Sequence, residues 1–119
     1  MDLSGVKQLV VYHLDKSIST PFAVLPEMLN SLEFEGTDRF EFSDSDDFKS
    51  AYEALISSTP IPTTGGIDAR WGIILVGENE EPLLSAYTDS FGVKGMINGK
   101  LISFKNPAFL RWLERRCAT

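Results

Sequence analysis

Glu41, Asp44, Asp46 and Asp47 fall within one short stretch, FEFSDSDDFK. Carboxylates at that spacing can ligate a cation, work as an acid–base pair, cap a helix or attract a basic partner. A calcium loop opening at Asp44 would need an oxygen ligand fifth, a glycine sixth and a glutamate twelfth. Phe48, Lys49 and Leu55 stand there instead. The pattern fits a helix start better. Asp44 or Ser45 caps the helix, and Asp46 and Asp47 meet the positive end of its dipole in the first turn. First-turn acids point largely into solvent, so a capping role leaves a binding face open.

Other candidates for chemistry are sparse. His13 is the only histidine and Cys117 the only cysteine, too few imidazole and thiolate ligands for a zinc site. His13 lies in a strand, on the side of Leu9 and Val11, and reads as a satisfied structural histidine. Cys117 stands in a tail beside Arg115 and Arg116, which would lower its pKa somewhat, but no activating base accompanies it. Gly65-Gly66 has neither phosphate-binding glycine pattern. Downstream, GGIDARWG places Asp68 and Arg70 just before a strand. With the hydroxyls of Thr63 and Thr64 they could line a polar cleft, and the competing reading is a turn-stabilising salt bridge. Asp68 or Asp89 could pair with Glu78 or Glu80, but nothing in the spacing selects a pair. No catalytic residue, metal site or cofactor is assigned.

The positioning elements follow from periodicity. Val6 to Leu14 is a strand rich in Val and Leu. Thr20-Pro21 is a helix-start signal, with Phe22, Leu25, Met28, Leu29 and Leu32 at helical spacing and Gly36 as a stop. Pro26 breaks that pattern, so either the first turn is irregular or the helix starts near Pro26. DRFEF is a short strand. Phe48, Ala51, Tyr52, Leu55 and Ile56 mark an amphipathic helix ending near Ser57 or Ser58. STPIPTTGG is a loop. RWGIILVG, PLLSAYT, VKGMI and KLISF are strands, the last two joined by Asn98-Gly99 in a tight hairpin. Asn106-Pro107 opens a final helix with Phe109, Trp112 and Leu113 on one face. The expected fold is α+β: a four- to five-stranded, mainly antiparallel sheet with about three helices on one face, in the order β-α-(β)-α-β-β-β-β-α.

The 119 residues suit a single globular domain over 1–119. No apolar run is long enough for a bilayer, the N-terminus does not read as a signal peptide, and one cysteine suits a reducing cytoplasm. The net charge is −6, which disfavours direct nucleic-acid contact. Glu27 to Glu53 carries nine acids and two bases, a local −7 that leaves +1 for the remaining residues. Arg111, Arg115 and Arg116 fall in the last helix.

This asymmetry, with no catalytic constellation, points to a small acidic protein-binding module that is not an enzyme. The most concrete form is an immunity-type inhibitor covering the active site of a basic toxin or nuclease. The expected face comprises Glu33, Glu35, Asp38, Glu41, Asp44, Asp46 and Asp47, with Phe40 as an apolar anchor if it faces out; Phe40 and Phe42 could equally pack inward. Two alternatives stand. One is a small enzyme or ligand-binding domain using Thr63, Thr64, Asp68 and Arg70. The other is a structural or regulatory homodimer using the Asn98-Gly99 hairpin or an exposed strand edge.

Overall fold

A computed structural model describes residues 2–117. The chain forms β1 (Val6–His13), α1 (Pro26–Asn30), β2 (Asp38–Phe42), α2 (Ser45–Ser57), β3 (Pro60–Pro62), β4 (Trp71–Gly77), β5 (Pro82–Thr88), β6 (Lys94–Ile97), β7 (Lys100–Phe104) and α3 (Ala108–Arg116). The α+β class and the three helices match expectation. The sheet has seven strands rather than four or five, in the spatial order β2-β1-β4-β5-β6-β7-β3, and every neighbouring pair is antiparallel.

The strand with no counterpart in the expected order is β3, in the segment read as a loop. Pro60 and Pro62 concealed it, because proline inside a run argues against a ladder position. An edge strand removes that objection: Ile61 pairs with Ser103, and only one side of β3 needs donors.

The helices do not share one face, contrary to expectation. α2 and α3 cover one side, where Leu9, Val11, Ile73, Leu75 and Ala86 pack with Phe48, Leu55, Phe109 and Leu113. On the other side Leu14, Val24, Leu29, Ile67 and Tyr87 form a smaller cluster under α1 and its flanking loops. Two-sided cover explains the near-continuous apolar runs of β1 and β4. Gly72 lets the second layer close on the sheet, since a Cβ there would lie 2.5 Å from the Tyr87 ring.

α1 is much shorter than its apolar spacing suggests. Leu25 is extended (φ −84°, ψ 153°) and Pro26 opens the helix, as the steric demand of proline on its predecessor requires. Thr20 caps nothing; its hydroxyl donates to Phe22 O at 2.7 Å. The helix stops at Asn30, before Leu32 with φ 56° and well before Gly36.

α2 begins as expected: Asp44 is its N-cap and accepts from the Asp46 N–H at 2.9 Å. Its far end meets the start of α3 through fully buried Ser58. The Ser58 hydroxyl donates to Ala54 O at 3.0 Å and accepts from the Phe109 N–H at 2.7 Å. Ser58→Ala leaves that buried N–H unpaired and should lower the unfolding free energy by about 1–2 kcal/mol in urea titrations.

The candidate edge and the polar cleft

β2 is the outermost strand beside β1, and the acids of the 33–47 segment are distributed along it and beyond both its ends. Glu33 and Glu35 lie in the chain leading from α1 into β2, Asp38 and Glu41 lie on the strand, and Asp44, Asp46 and Asp47 follow it into α2. Alternation sends Phe40 and Phe42 toward the larger core, against which both pack half-buried. Phe40 is thus a tether of the strand, and the most it offers a partner is an edge. Arg39 and Glu41 project to the opposite side and pair with each other, with the Arg39 guanidinium 6.0 Å from the Tyr12 ring centroid.

Two of the seven acids are therefore compensated. Glu41 is held by Arg39. Asp47 receives both Nε and Nη2 of Arg116, at 2.8 and 2.9 Å, while that guanidinium lies 5.0 Å from the Phe42 ring centroid. The basic last helix thus reaches into the acidic segment, but only at its α2 end. Glu33, Glu35, Asp38, Asp44 and Asp46 form no ion pair among the described residues and are exposed. A further carboxylate, Asp2, borders the same shallow depression as Ser45, Asp46 and Lys49. Its position 44 residues before Asp46 hid it from the sequence. The segment before β2 also presents apolar surface: Phe22, Leu25 and Leu32 are 51%, 41% and 45% exposed. They looked like the buried stripe of a helix, and the break at Pro26 turns them out.

The residues proposed for a polar cleft do not assemble into one. Arg70 is buried and works as a staple. Its Nε donates to Asp68 Oδ2 at 3.1 Å, and its Nη1 donates to the carbonyls of Asp15 and Ile18 at 3.0 and 2.9 Å. Asp68 Oδ1 accepts from the Val24 N–H at 2.8 Å. The pair thus fastens the chain between β1 and α1 to the start of β4. Thr63 and Thr64 are bound elsewhere: the Thr63 N–H donates to Leu101 O, and Thr64 O accepts from Lys94 Nζ.

A concave site does occur beside Arg70. It is a cleft of about 110 Å³ lined by His13, Asp15, Lys16, Arg70, Trp71, Ser90 and Glu114. His13 stacks on Trp71 with ring centroids 3.6 Å apart, because the two are register partners in β1 and β4. Burial lowers the imidazole pKa, opposed by Asp15, Asp38 and Glu114. Two cations, Lys16 and Arg70, and two carboxylates, Asp15 and Glu114, line this cleft, and no nucleophile with a hydrogen-bonded base is present among its lining residues. Nor do three or more His, Cys, Asp or Glu side chains converge as metal ligands among the described residues.

Cys117 departs from expectation. It is buried rather than frayed, and burial pushes its thiol up from 9.0 to about 11; Arg116 works in the opposite direction and is outweighed. The thiol should resist iodoacetamide at pH 8 in the folded protein and label fully in denaturant, as mass spectrometry would read. Rapid labelling of the folded chain would contradict this burial.

No helix among the described residues is long and apolar enough to cross a membrane. No family model matches the chain, and neither a curated protein nor a solved structure is significantly similar to it.

Proposed function

We propose that the protein is an acidic protein-binding module that receives a basic protein at β2 and its flanking segments. Its most concrete form is an immunity-type inhibitor that covers the active site of a cationic toxin or nuclease. The observation that carries this reading is the set of five exposed carboxylates, Glu33, Glu35, Asp38, Asp44 and Asp46, that form no ion pair among the described residues. Their field accelerates encounter with a cationic surface and disfavours phosphate. Phe22, Leu25 and Leu32 supply apolar contact of the kind that gives interfaces their lasting affinity, in a segment that holds three acids and no base between Pro21 and Gly36. The workplace suggested by a single buried thiol is a reducing compartment, the cytoplasm.

The test is a panel of basic ribonucleases and deoxyribonucleases titrated with the protein. The expected result is stoichiometric loss of activity for a cationic member, with binding that weakens steeply as salt rises. Unchanged activities, with no complex seen at low ionic strength, would contradict the reading.

An enzymatic or ligand-binding role is favoured by one observation, the cleft at His13 and Trp71. Soaking with small polar metabolites and watching Trp71 fluorescence would reveal such a ligand.

A further inference from the structure

The two outer edges of the sheet differ in what their backbones offer. The Leu14 N–H donates to Arg70 O at 2.8 Å, one step beyond the His13–Trp71 pair. Even-numbered β1 residues therefore turn their backbone groups to β4, and odd-numbered ones turn theirs to β2. Leu9, Val11 and His13 face Phe42, Phe40 and Asp38. The N–H and C=O of Arg39 and Glu41 are left pointing outward. At the opposite edge the Thr63 N–H donates to Leu101 O, so Ile61, two residues earlier, also turns to β7. Pro60 and Pro62 then face outward, and neither has an N–H to give. One edge is closed by prolines, and the other is open.

We propose that the open edge takes an added strand: the basic partner inserts an extended segment that pairs with β2 through Arg39 and Glu41. This rests on the basic-partner reading above and specifies how that partner is held. Charge chooses the occupant. Asp38 stands at one end of the edge, and Asp44 and Asp46 stand beyond the other. Asp44 follows Asp38 by six positions, or roughly 20 Å in extended chain. An incoming segment of that length with Lys or Arg at both ends meets, at both ends, exposed acids that form no ion pair among the described residues, while its centre needs only strand-forming side chains. Phe40 and Phe42, packed on the core, hold the receiving strand in place before binding. A second copy of this chain fits less well. Pairing β2 with itself about Phe40 matches Arg39 with Glu41, but it also sets the acids of one end against those of the other.

The full chain, ¹⁵N-labelled, would be titrated with a capped peptide of sequence KRTVTVTKR. The expected result is slowed hydrogen exchange at the Arg39 and Glu41 amides. Glu41→Pro, which copies the closed edge, should weaken binding by about tenfold, whereas Glu41→Thr, which removes charge but keeps the donor, should stay within about twofold. Exchange in the unaltered chain decides the matter even if the proline variant does not fold. Shifts at Asp38, Asp44 and Asp46 without protection at Arg39 and Glu41 would overturn strand addition yet leave the basic-partner reading standing. Protection that grows with protein concentration in the absence of peptide would overturn it in favour of a second copy. No shifts anywhere at low salt would count against both readings.

Discussion

Arg70→Ala is expected to cost about 3 kcal/mol of unfolding free energy, the largest loss from any single polar side chain of this protein. Arg70 is 7% exposed and spends its guanidinium on Asp68 and on two loop carbonyls, those of Asp15 and Ile18. Truncation strands both carbonyls and removes the cation from a carboxylate. The Asp68 side chain is 43% exposed, so water recovers part of the loss, which keeps the figure below that of a fully buried pair. Lysine should restore little, because one ammonium cannot reproduce a planar fork with separate bonds in fixed directions. Asp68→Asn should cost less, about 1 kcal/mol, since the amide oxygen can still accept from the Val24 N–H. The loosening should concentrate between β1 and α1, where amide exchange at Val24 would rise ahead of the sheet. Urea titration gives the magnitude. A loss under about 1 kcal/mol would mean that the staple does not bear on folding.

The second large effect concerns association. The combined variant Glu35→Lys, Asp38→Lys and Asp46→Lys moves the net charge from −6 to zero, two units per substitution. Asp44 is spared because its carboxylate caps α2, and losing a cap would mix a stability effect of ~1 kcal/mol into the measurement. At low ionic strength the association rate with a cationic nuclease should fall by at least about tenfold. The deficit should shrink as salt rises and the Debye length contracts toward 3 Å near 1 M, a screening value on the order of one contact. Dissociation should change less, since steering acts on encounter. Arg116→Gln should do the reverse on a smaller scale. It releases Asp47 from its ion pair and should speed association by about twofold. Stopped-flow traces at several ionic strengths check both variants. Equal rates for the reversed and unaltered proteins at low salt would remove the acids from the encounter.

How far these residues could be read from the sequence depends on the range of the physics. Local chemistry was legible. Asp44 as a cap, Asn98-Gly99 as a hairpin turn with φ 48° and 80°, and the Phe109, Trp112 and Leu113 stripe all depend on neighbours a few positions away. The failures arose where tertiary position reversed a local rule. Pro60 and Pro62 argue against a strand until the strand is known to be an edge. Phe22, Leu25 and Leu32 argue for a buried face until Pro26 shortens the helix beneath them. Cys117 reads as a tail residue whose pKa Arg115 and Arg116 lower somewhat, yet the end of α3 buries the thiol and raises its pKa. Asp68 and Arg70 were legible as a possible salt bridge. Their partners Asp15, Ile18 and Val24, more than forty residues away, were not. The acidic segment was evident from composition, but its division was not: the Arg116 pairing with Asp47 spans 69 positions.

The most direct measurement is a hydrogen-exchange footprint of the complex with whichever basic nuclease the protein inhibits. Protection is predicted over Asp38–Phe42 and the Phe22–Leu32 segment, with the Pro60–Pro62 edge unchanged. Protection centred instead on His13, Ser90 and Glu114 around the polar cleft, with β2 exchanging as in the free protein, would contradict it.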